Sequence, residues 1–385
     1  MTVLLDVCDY GGPYGGSFIP TLAAEGRAAR ERFGLRHVCV FTNVAHGRPW
    51  HGLLEAQDAE VIVLDEGGRS NRARRLTSIA TDLDAKLVRS HFTTLDVEAA
   101  YAGRRAGAGV LWQIHTGTLQ HGCRRRASDL VKVRMLGRGC DRLVAVSDEI
   151  GRQARRRGFP ASKVRIVPNG LDTARFAAER LPDRAEARRA LGVPDEAQML
   201  LAFGWSPYQK GIDLVLEAAG RLAGRRPIVT VLVGEQPLRA YVDARHSDSS
   251  PWLAVHSPVQ DVRSFYAAAD VFVSASRQEA FSFAIGEAMA AGLPVVSSDI
   301  PGPDGYFGAP GVRTFASGDA GALQAALEAQ LDARSGSAGN PEFVRERFGL
   351  ERHVDTMLGV FGELLGDPSG AMADRGAHPR TSGGR

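Results

Sequence analysis

The segment Asp270–Asp299 reads DVFVSASRQEAFSFAIGEAMAAGLPVVSSD and is the most informative stretch of this 385-residue chain. It starts with a short apolar run, passes through a polar loop and an Ala-rich stretch with helical spacing, and ends in a second apolar run. Between the last two lies Gly292, which is typical of a helix C-terminus, two residues before Pro294. The segment therefore predicts a strand, a loop, a helix, a turn and a second strand, which is a βαβ unit.

The same alternation of apolar runs and helical stretches fills the chain in two series. The first series has predicted strands near Val3–Val7, His37–Thr42, Glu60–Leu64, Lys86–Ser90, Val110–His115, Leu143–Ser147 and Val164–Pro168. The second has predicted strands near Met199–Gly204, Ile228–Gly234, Leu253–His256, Val271–Ser274 and Pro294–Ser297. Near-continuous apolar strands that alternate with helices are typical of parallel sheets covered on both faces. We therefore predict an α/β protein with two doubly wound, Rossmann-like domains that face each other across a cleft.

A polar, Arg-rich stretch near 169–194 separates the two series and is the expected linker. We predict an N-terminal domain over 1–175 and a C-terminal domain over 176–345, and a helix near 346–365 could pack back on the first domain. Residues 366–385 are rich in Gly, Ser, Pro and charge, so we expect a disordered tail. Ligands of open α/β sheets bind outside the carboxyl ends of the strands, which places the active site in the cleft.

Composition excludes several classes of protein. The chain has 47 basic and 44 acidic residues, a net charge of +3, which is too balanced to favour nucleic acid as the partner. Its four cysteines form no C-x-x-C pair, so neither a zinc site nor a disulfide framework is indicated. The first residues lack the features of a signal peptide, and no apolar run has membrane-spanning length. A cytoplasmic location is expected.

Two glutamates flank the start of the predicted helix in the opening segment. The helix is expected to begin near residues 281–283, so the N–H groups of Ala280, Phe281 and Ser282 form a site that favours a diphosphate. Glu279 precedes this site and Glu287 follows it, ~12 Å apart if the span is helical. That length is similar to the separation of sugar and ribose in a nucleotide-diphosphate sugar, so each carboxylate could hold one end.

This segment resembles the E-x7-E region of the GT-B glycosyltransferases of family GT4. The resemblance implies that Glu279 contacts the hexose hydroxyls and that Glu287 contacts the ribose hydroxyls. The alternative is that both are ordinary solvated acids, because two glutamates at this spacing are common by chance.

The segment MLLAFGWSPYQKGIDLVLEAA, residues 199–219, resembles the G-R-x(n)-K-G segment of the same family. Lys210 matches the family's lysine, which holds the diphosphate through a charge-assisted hydrogen bond. The family's arginine is absent, because Trp205 follows Gly204 here. Arg277 could replace it, or could be a solvated loop residue.

Three further segments extend the resemblance over residues 3–365. Residues 142–176 resemble the family's V-S segment followed by V-P-N-G-[VIL]-D, which supports membership and the position of the linker. The Gly-rich loop after the first strand offers Gly15 and Gly16 for close approach to a phosphate or sugar, with a plain tight turn as the alternative. His115 ends a strand and resembles the family's histidine near the 6-hydroxyl of the reacting sugar, whereas we interpret His91 as structural.

The resemblance implies transfer of a hexose-type sugar from a nucleotide-diphosphate sugar to an acceptor hydroxyl on a lipid, a glycan or a small metabolite, with retention of configuration. His115, Glu279 and Lys210 are the expected catalytic residues, and Lys210 and the helix amides would stabilise the leaving diphosphate. Neither a metal nor a cofactor is expected: the one D-x-D sequence, Asp82-Leu83-Asp84, is predicted to lie on a helix.

Two other functions stay open. A nucleotide-sugar 2-epimerase or a sugar phosphorylase would use a similar scaffold. The missing arginine also suits a non-catalytic nucleotide-sugar-binding subunit.

The sequence also contains basic runs, which could be solvated helix faces or could contact anionic lipid at the inner membrane face. These runs are Arg124–Arg126, Lys132, Arg134, Arg138 and Arg152–Arg157.

Overall fold

The computed structural model describes residues 2–65, 67–92, 94–115, 139–246, 250–333 and 337–367, and contains two parallel β-sheets. The strands are β1 Val3–Cys8, β2 Arg36–Phe41, β3 Glu60–Val63, β4 Ala85–His91, β5 Gly109–Ile114, β6 Arg142–Ala145, β7 Val164–Ile166, β8 Gln198–Phe203, β9 Ile228–Val233, β10 Leu253–His256, β11 Val271–Ser274, β12 Val295–Ser298 and β13 Val312–Phe315.

The α-helices are α1 Phe18–Phe33, α2 His51–Glu55, α3 Arg69–Asp82, α4 Asp96–Ala106, α5 Asp148–Arg156, α6 Arg184–Ala190, α7 Ile212–Ala223, α8 Gln236–Asp243, α9 Arg263–Ala268, α10 Phe283–Ala290, α11 Ala320–Asp332, α12 Asn340–Phe348 and α13 Leu350–Leu365. Short 3-10 turns lie at Asn43–Ala45, Ala161–Lys163, Thr173–Phe176, Ala178–Arg180 and Pro303–Tyr306.

Each sheet reverses its strand order once. The first sheet has the order β3-β2-β1-β4-β5-β6-β7 and the second has the order β10-β9-β8-β11-β12-β13. The reversals lie between β1 and β4 and between β8 and β11, where adjacent βα loops diverge and leave a crevice at the carboxyl ends. The predicted fold class, two doubly wound parallel-sheet domains of GT-B type, is confirmed.

Twelve predicted strands are present, and their ends lie within two residues of the prediction. The edge strand β13 was not predicted. Its sequence VRTF contains one buried residue, Phe315, and alternates too weakly to be distinguished from a loop. The prediction that Asp82-Leu83-Asp84 lies on a helix is correct only for Asp82, which ends α3, because Asp84 adopts a left-handed turn with φ of 50°.

Helix α13 follows the second sheet in sequence but packs on the first. Its residues Leu358 and Phe361 share a buried cluster with Leu4 of β1 and Leu111 of β5. Glu363 accepts hydrogen bonds at its Oε2 atom from Arg142 of β6 at 2.7 Å and from Arg165 of β7 at 2.8 Å. The last helix is therefore part of the N-terminal core, although the exact domain limits stay a prediction.

The chain crosses between the two halves twice, and the two crossings are hydrogen-bonded to each other. The Leu171 N–H donates to the Phe348 carbonyl at 2.8 Å, and the Leu350 N–H donates to the Leu171 carbonyl at 2.9 Å. A Cβ atom at Gly170 would lie 2.8 Å from the Cβ of His353, so the first crossing needs glycine there. The crossings form one compact connection between the halves.

Helices of the described part of the chain are all too short or too polar to cross a membrane. The predicted disordered tail lies beyond the described residues except for 366 and 367, and the basic residues between 124 and 138 also lie outside them. In the remaining basic run, Arg152 pairs with Glu149 at 3.0 Å within α5.

Candidate functional site

The loop from β8 to α7 carries Lys210 to the segment that follows β11. Gly211 has a φ of 63°, and a Cβ there would lie 2.0 Å from the carbonyl oxygen of Ala275, so only glycine allows the two loops to pack this closely. The result is an ion pair between Lys210 Nζ and Glu279 Oε1. The hydroxyl of Ser276 donates to the same oxygen at 2.9 Å. Two residues predicted to contact the donor therefore lie side by side.

Trp205 occupies the position where the sequence comparison expects an arginine. It is 59% exposed, and its ring centroid lies 4.8 Å from Lys210 Nζ, which is a cation–π contact. An indole cannot neutralise a phosphate. Lys210 is therefore the cation that the β8–α7 loop contributes at this point.

Arg277, the residue that could replace the missing arginine, is paired with Asp213 in this structure. Its guanidinium donates to both carboxylate oxygens of Asp213, at 2.8 and 2.7 Å, and lies 4.4 Å from the ring centroid of Tyr208. The hydrogen bonds to Asp213 raise the pKa of Arg277. Its charge is thus neutralised by Asp213 of α7.

Helix α10 begins at Phe283, at the end of the predicted range. Ser282 is its N-cap, and the Ser282 side chain accepts a hydrogen bond from the Ile285 N–H at 3.4 Å. Ala280 and Phe281 precede the helix and are both buried. The predicted diphosphate-binding amides thus belong to the approach to the helix and to its cap.

Glu287 lies one turn into α10 and is only 8% exposed. Its Oε2 atom accepts a hydrogen bond from the Tyr266 hydroxyl at 2.8 Å, and its Oε1 atom accepts one from the Ser17 hydroxyl at 2.5 Å. Burial and the nearby Glu287 charge raise the pKa of Tyr266 well above its usual range, so the phenol stays a donor. Because Ser17 belongs to the first half of the chain, this carboxylate joins the two sides of the cleft.

The Gly-rich loop after β1 presents Ser17 to the cleft. Gly15 and Gly16 directly precede Ser17, and Gly16 adopts a φ of 54°. The Tyr14 hydroxyl donates to the Pro258 carbonyl of the second half at 3.2 Å, which is a second contact across the cleft. The structure therefore brings this loop to the E-x7-E segment, as expected for a shared ligand site.

His115 follows β5 directly and lies beside His91, the last residue of β4. Its Nε2 atom lies 2.9 Å from His91 Nδ1, and the ring of Phe92 packs at a centroid distance of 4.8 Å. Burial, with smaller contributions from His91 and Arg89, lowers the pKa of His115 well below its usual range, and Asn169 acts in the opposite direction. The imidazole is therefore neutral near pH 7.

Models of known families match both halves of the chain. The model described as Glycosyltransferase Family 4 matches residues 23–175, and the model described as Glycosyl transferases group 1 matches residues 197–333. The chain belongs to the GT4-type glycosyltransferases of GT-B fold.

Curated relatives agree with this membership, and solved structures agree with the fold. D-inositol 3-phosphate glycosyltransferase 2 of Catenulispora acidiphila is 29% identical over 238 residues, which cover 56% of this chain and 55% of the relative. A glycosyltransferase structure from Rickettsia africae matches with a TM-score of 0.80 and 16% identity, over 95% of this chain and 99% of that chain. Anabaena Alr3699/HepE in complex with UDP-glucose matches with a TM-score of 0.78 and 18% identity, over 94% and 100%. The alignments with the first three curated relatives span 38% to 61% of their length.

The GT4 protein also contains a buried charge network behind its histidine pair, which sequence reasoning missed. Asp6 of β1 is fully buried and accepts hydrogen bonds from Arg89 Nε at 2.5 Å and from Arg89 Nη2 at 2.9 Å. His37 Nε2 lies 2.8 Å from the same carboxylate. Burial alone would raise the pKa of Asp6, but Arg89 and the histidines lower it well below its usual range. The sequence contained a signal for this network, because the charged residues Asp6 and Arg89 lie within the otherwise apolar strands β1 and β4.

The network continues from Arg89 to the last helix. Arg89 Nη1 lies 2.5 Å from Glu25 of α1, and Glu25 lies 2.5 Å from His353 Nε2 of α13. Asp6, His37 and Cys39 offer ligand-type atoms within 4.8 Å of one another, as a metal site would. Arg89 binds both oxygens of Asp6, so in this structure Asp6 and His37 belong to the ion-pair network.

A polar cavity opens at the carboxyl ends of β1, β2 and β3, in the N-terminal half of the GT4 protein. Its volume is about 420 Å³, including space open to solvent. It is lined by Asp9, Thr42, Asn43, Leu64, Asp65, Gly67, Arg72, Thr94 and Leu95. The Thr42 hydroxyl donates to Asp9 at 2.7 Å. The cavity is thus rich in groups that hydrogen-bond hydroxyls.

Proposed function

We propose that this GT4 protein transfers a hexose-type sugar from a nucleotide-diphosphate sugar to an acceptor hydroxyl. The observation that carries the proposal is the convergence of Lys210, Glu279 and Glu287 at the crevice between β8 and β11. Lys210 follows β8, and the two glutamates follow β11. A cation, a helix N-terminus and two carboxylates in one crevice suit a diphosphate with a polyhydroxylated group at each end.

In this proposal the donor replaces contacts that the residues make with each other. The diphosphate takes Lys210 from its ion pair with Glu279, and the released carboxylate accepts hydrogen bonds from hexose hydroxyls. A ribose hydroxyl takes the place of the Ser17 hydroxyl at Glu287, while Tyr266 continues to hold the other oxygen. The UDP-glucose complex of the Anabaena protein, which shares this fold, supports a donor of this class.

The proposed reaction proceeds with retention and without a metal. The acceptor hydroxyl approaches on the same face as the departing diphosphate, which accepts its proton. Lys210 and the amides near Ser282 stabilise the negative charge that grows on the leaving group. Because Trp205 stands where the family has an arginine, this stabilisation depends on one cation from the β8–α7 loop.

The proposed acceptor enters from the N-terminal half, at the polar cavity beside Asp9 and Asp65. Carboxylates and threonine hydroxyls favour a polyhydroxylated acceptor over an acyl chain. The name of the Catenulispora relative, a D-inositol 3-phosphate glycosyltransferase, supports a small polar acceptor. A cytoplasmic location, with contact to the inner membrane face through basic residues, belongs to the same proposal.

A donor screen tests the first step. Melting temperatures are measured with UDP-, GDP- and ADP-hexoses for the wild type, Glu287→Gln and the matched control Glu217→Gln, which changes an exposed glutamate of α7. We expect one donor to stabilise the wild type and the control, and to stabilise Glu287→Gln far less. If no nucleotide sugar stabilises the wild type, or if Glu287→Gln responds like the control, the donor site is assigned wrongly.

The products identify the reaction. With the selected donor and a panel of sugars and polyols, NMR spectra should show a glycoside with the anomeric configuration of the donor, formed equally in EDTA. An isomerised donor without any acceptor would instead identify an epimerase, and binding without turnover would identify a non-catalytic subunit.

A further inference from the structure

A hydrogen-bonded series of two buried groups, Asp6 and His91, and the half-buried His115 ends at the cleft. His91 Nε2 lies 3.2 Å from Asp6 Oδ1, and His91 Nδ1 lies 2.9 Å from His115 Nε2. Asp6 is fully buried and His91 is 1% exposed. Both imidazoles lie at the carboxyl ends of their strands, which is the edge of the sheet at which ligands bind. Asp6 lies further inside the sheet, within β1.

The charges of these three hydrogen-bonded side chains determine which nitrogen carries each proton. Asp6 is bound to Arg89 and is ionised, so its oxygens can only accept hydrogen bonds. His91 must therefore donate through Nε2, and a neutral His91 then has an acceptor at Nδ1. It follows that His115 donates through Nε2 and keeps a lone pair at Nδ1.

The remaining nitrogen of His115 is Nδ1, and the side chain of Asn169 is close enough to the imidazole to act on its pKa. Nδ1 is inaccessible to solvent and makes no hydrogen bond of acceptable geometry with any residue that the structure describes. A buried acceptor without a donor is unfavourable, so a ligand group that donates there gains affinity. Carboxylates and phosphate oxygens lack such a proton, whereas a sugar hydroxyl has one.

We propose that Asp6 and His91 are positioning residues that hold His115 as the Nε2–H tautomer, which leaves Nδ1 as the acceptor for the sugar hydroxyl that the family resemblance implies at His115. The second part of this proposal rests on the proposed function, and the first part does not. Selectivity follows from it. A donor that lacks this hydroxyl, or carries a carboxylate in its place, leaves the acceptor unpaired.

The tautomer is tested without any substrate. Long-range proton–nitrogen NMR spectra of protein with labelled histidine are recorded at neutral pH for the wild type, His91→Asn and His91→Leu, with His115→Gln used to assign the signal. We expect His115 to be protonated at Nε2 in the wild type and in His91→Asn, whose amide offers an oxygen in place of His91 Nδ1. In His91→Leu this preference should be lost. Protonation at Nδ1 in the wild type, or an unchanged tautomer in His91→Leu, would overturn the proposal.

The hydroxyl contact is tested with the donor found in the screen. Single-deoxy analogues of that donor are compared by kcat/KM in the wild type and in His91→Leu. One analogue should lose roughly ten- to hundredfold in the wild type, the penalty of an unpaired buried acceptor, and should lose less in His91→Leu. If all analogues behave alike in the wild type, Nδ1 does not contact the sugar. Failure of every nucleotide sugar would instead refute the proposed function and leave the tautomer result intact.

Discussion

Gly211 lies where the β8–α7 loop packs directly against the backbone of Ala275. It combines a φ of 63° with a carbonyl oxygen 2.0 Å from the site of a Cβ atom. We expect Gly211→Ala to lower the free energy of unfolding by about 2–5 kcal/mol, from left-handed strain and from the clash with Ala275. Urea unfolding followed by circular dichroism measures the change.

Gly292 is the matched control for this substitution. It has a φ of 79°, but no atom lies within 4 Å of the place that a Cβ atom would take, so Gly292→Ala should cost only the strain, about 1–2 kcal/mol. Equal losses in the two variants would show that the close approach of the two loops is not needed for stability.

The histidine pair should make stability depend on pH. Burial, followed by Arg89, lowers the pKa of His91, and burial, followed by His91 and Arg89, lowers that of His115. The folded protein thus stays neutral at these sites while the unfolded chain takes up protons below about pH 6.5. Stability is therefore full above that pH and is lost as the pH falls below it.

Denaturant unfolding at steps between about pH 7.5 and 5.5 checks this dependence. The wild type should lose stability over this range, and His91→Gln, which removes one of the two groups, should lose less. A flat profile for the wild type would mean that neither histidine is held neutral in the folded protein.

Helix α13 illustrates an element whose role depends on tertiary packing. Phe361 is fully buried against the first sheet. We expect Phe361→Ala to destabilise the protein by about 3–5 kcal/mol, because a large cavity would remain beside β1. Thermal and urea unfolding provide the measurement, and Glu351→Ala, at an exposed position of the same helix, serves as control. Equal stability of both variants would mean that α13 is not part of the core.

Twelve strands were predictable because they are mainly apolar runs. Most of them contain buried residues, and the edge strands β3 and β10 are only partly buried. Strand β13 pairs only with β12 at the sheet edge and has two exposed residues, so its sequence lacks that pattern. Helix α10 was predictable because its cap and its terminal glycine are local signals.

The two halves of the molecule meet at Glu287, where a ligand is expected to compete with Ser17. Ser17→Ala removes that competitor and should raise the affinity for the nucleotide diphosphate of the selected donor roughly three- to tenfold, the value of one hydrogen bond. Isothermal titration calorimetry measures the affinity. Small-angle X-ray scattering of the free variant should show a more open molecule.

The variant Tyr14→Phe distinguishes the competition between Ser17 and the ligand for Glu287 from the closure of the cleft. It removes a second hydrogen bond across the cleft, to Pro258, without changing Glu287. We expect this variant to open the molecule without a comparable gain in affinity. A loss of affinity in Ser17→Ala would show that Ser17 helps to bind the nucleotide rather than competing with it.

The fold class, the βαβ units and the position of the E-x7-E segment follow from contiguous residues, because hydrophobic periodicity and helix caps are local properties. Local patterns do not specify which side chains meet. Ser17 and Glu287 are 270 residues apart, Lys210 and Glu279 are 69 apart, and Glu25 and His353 are 328 apart. These contacts depend on how two sheets and a returning helix pack together. For the same reason, the role of His91 became visible only when β4 and β5 were seen to place it against His115.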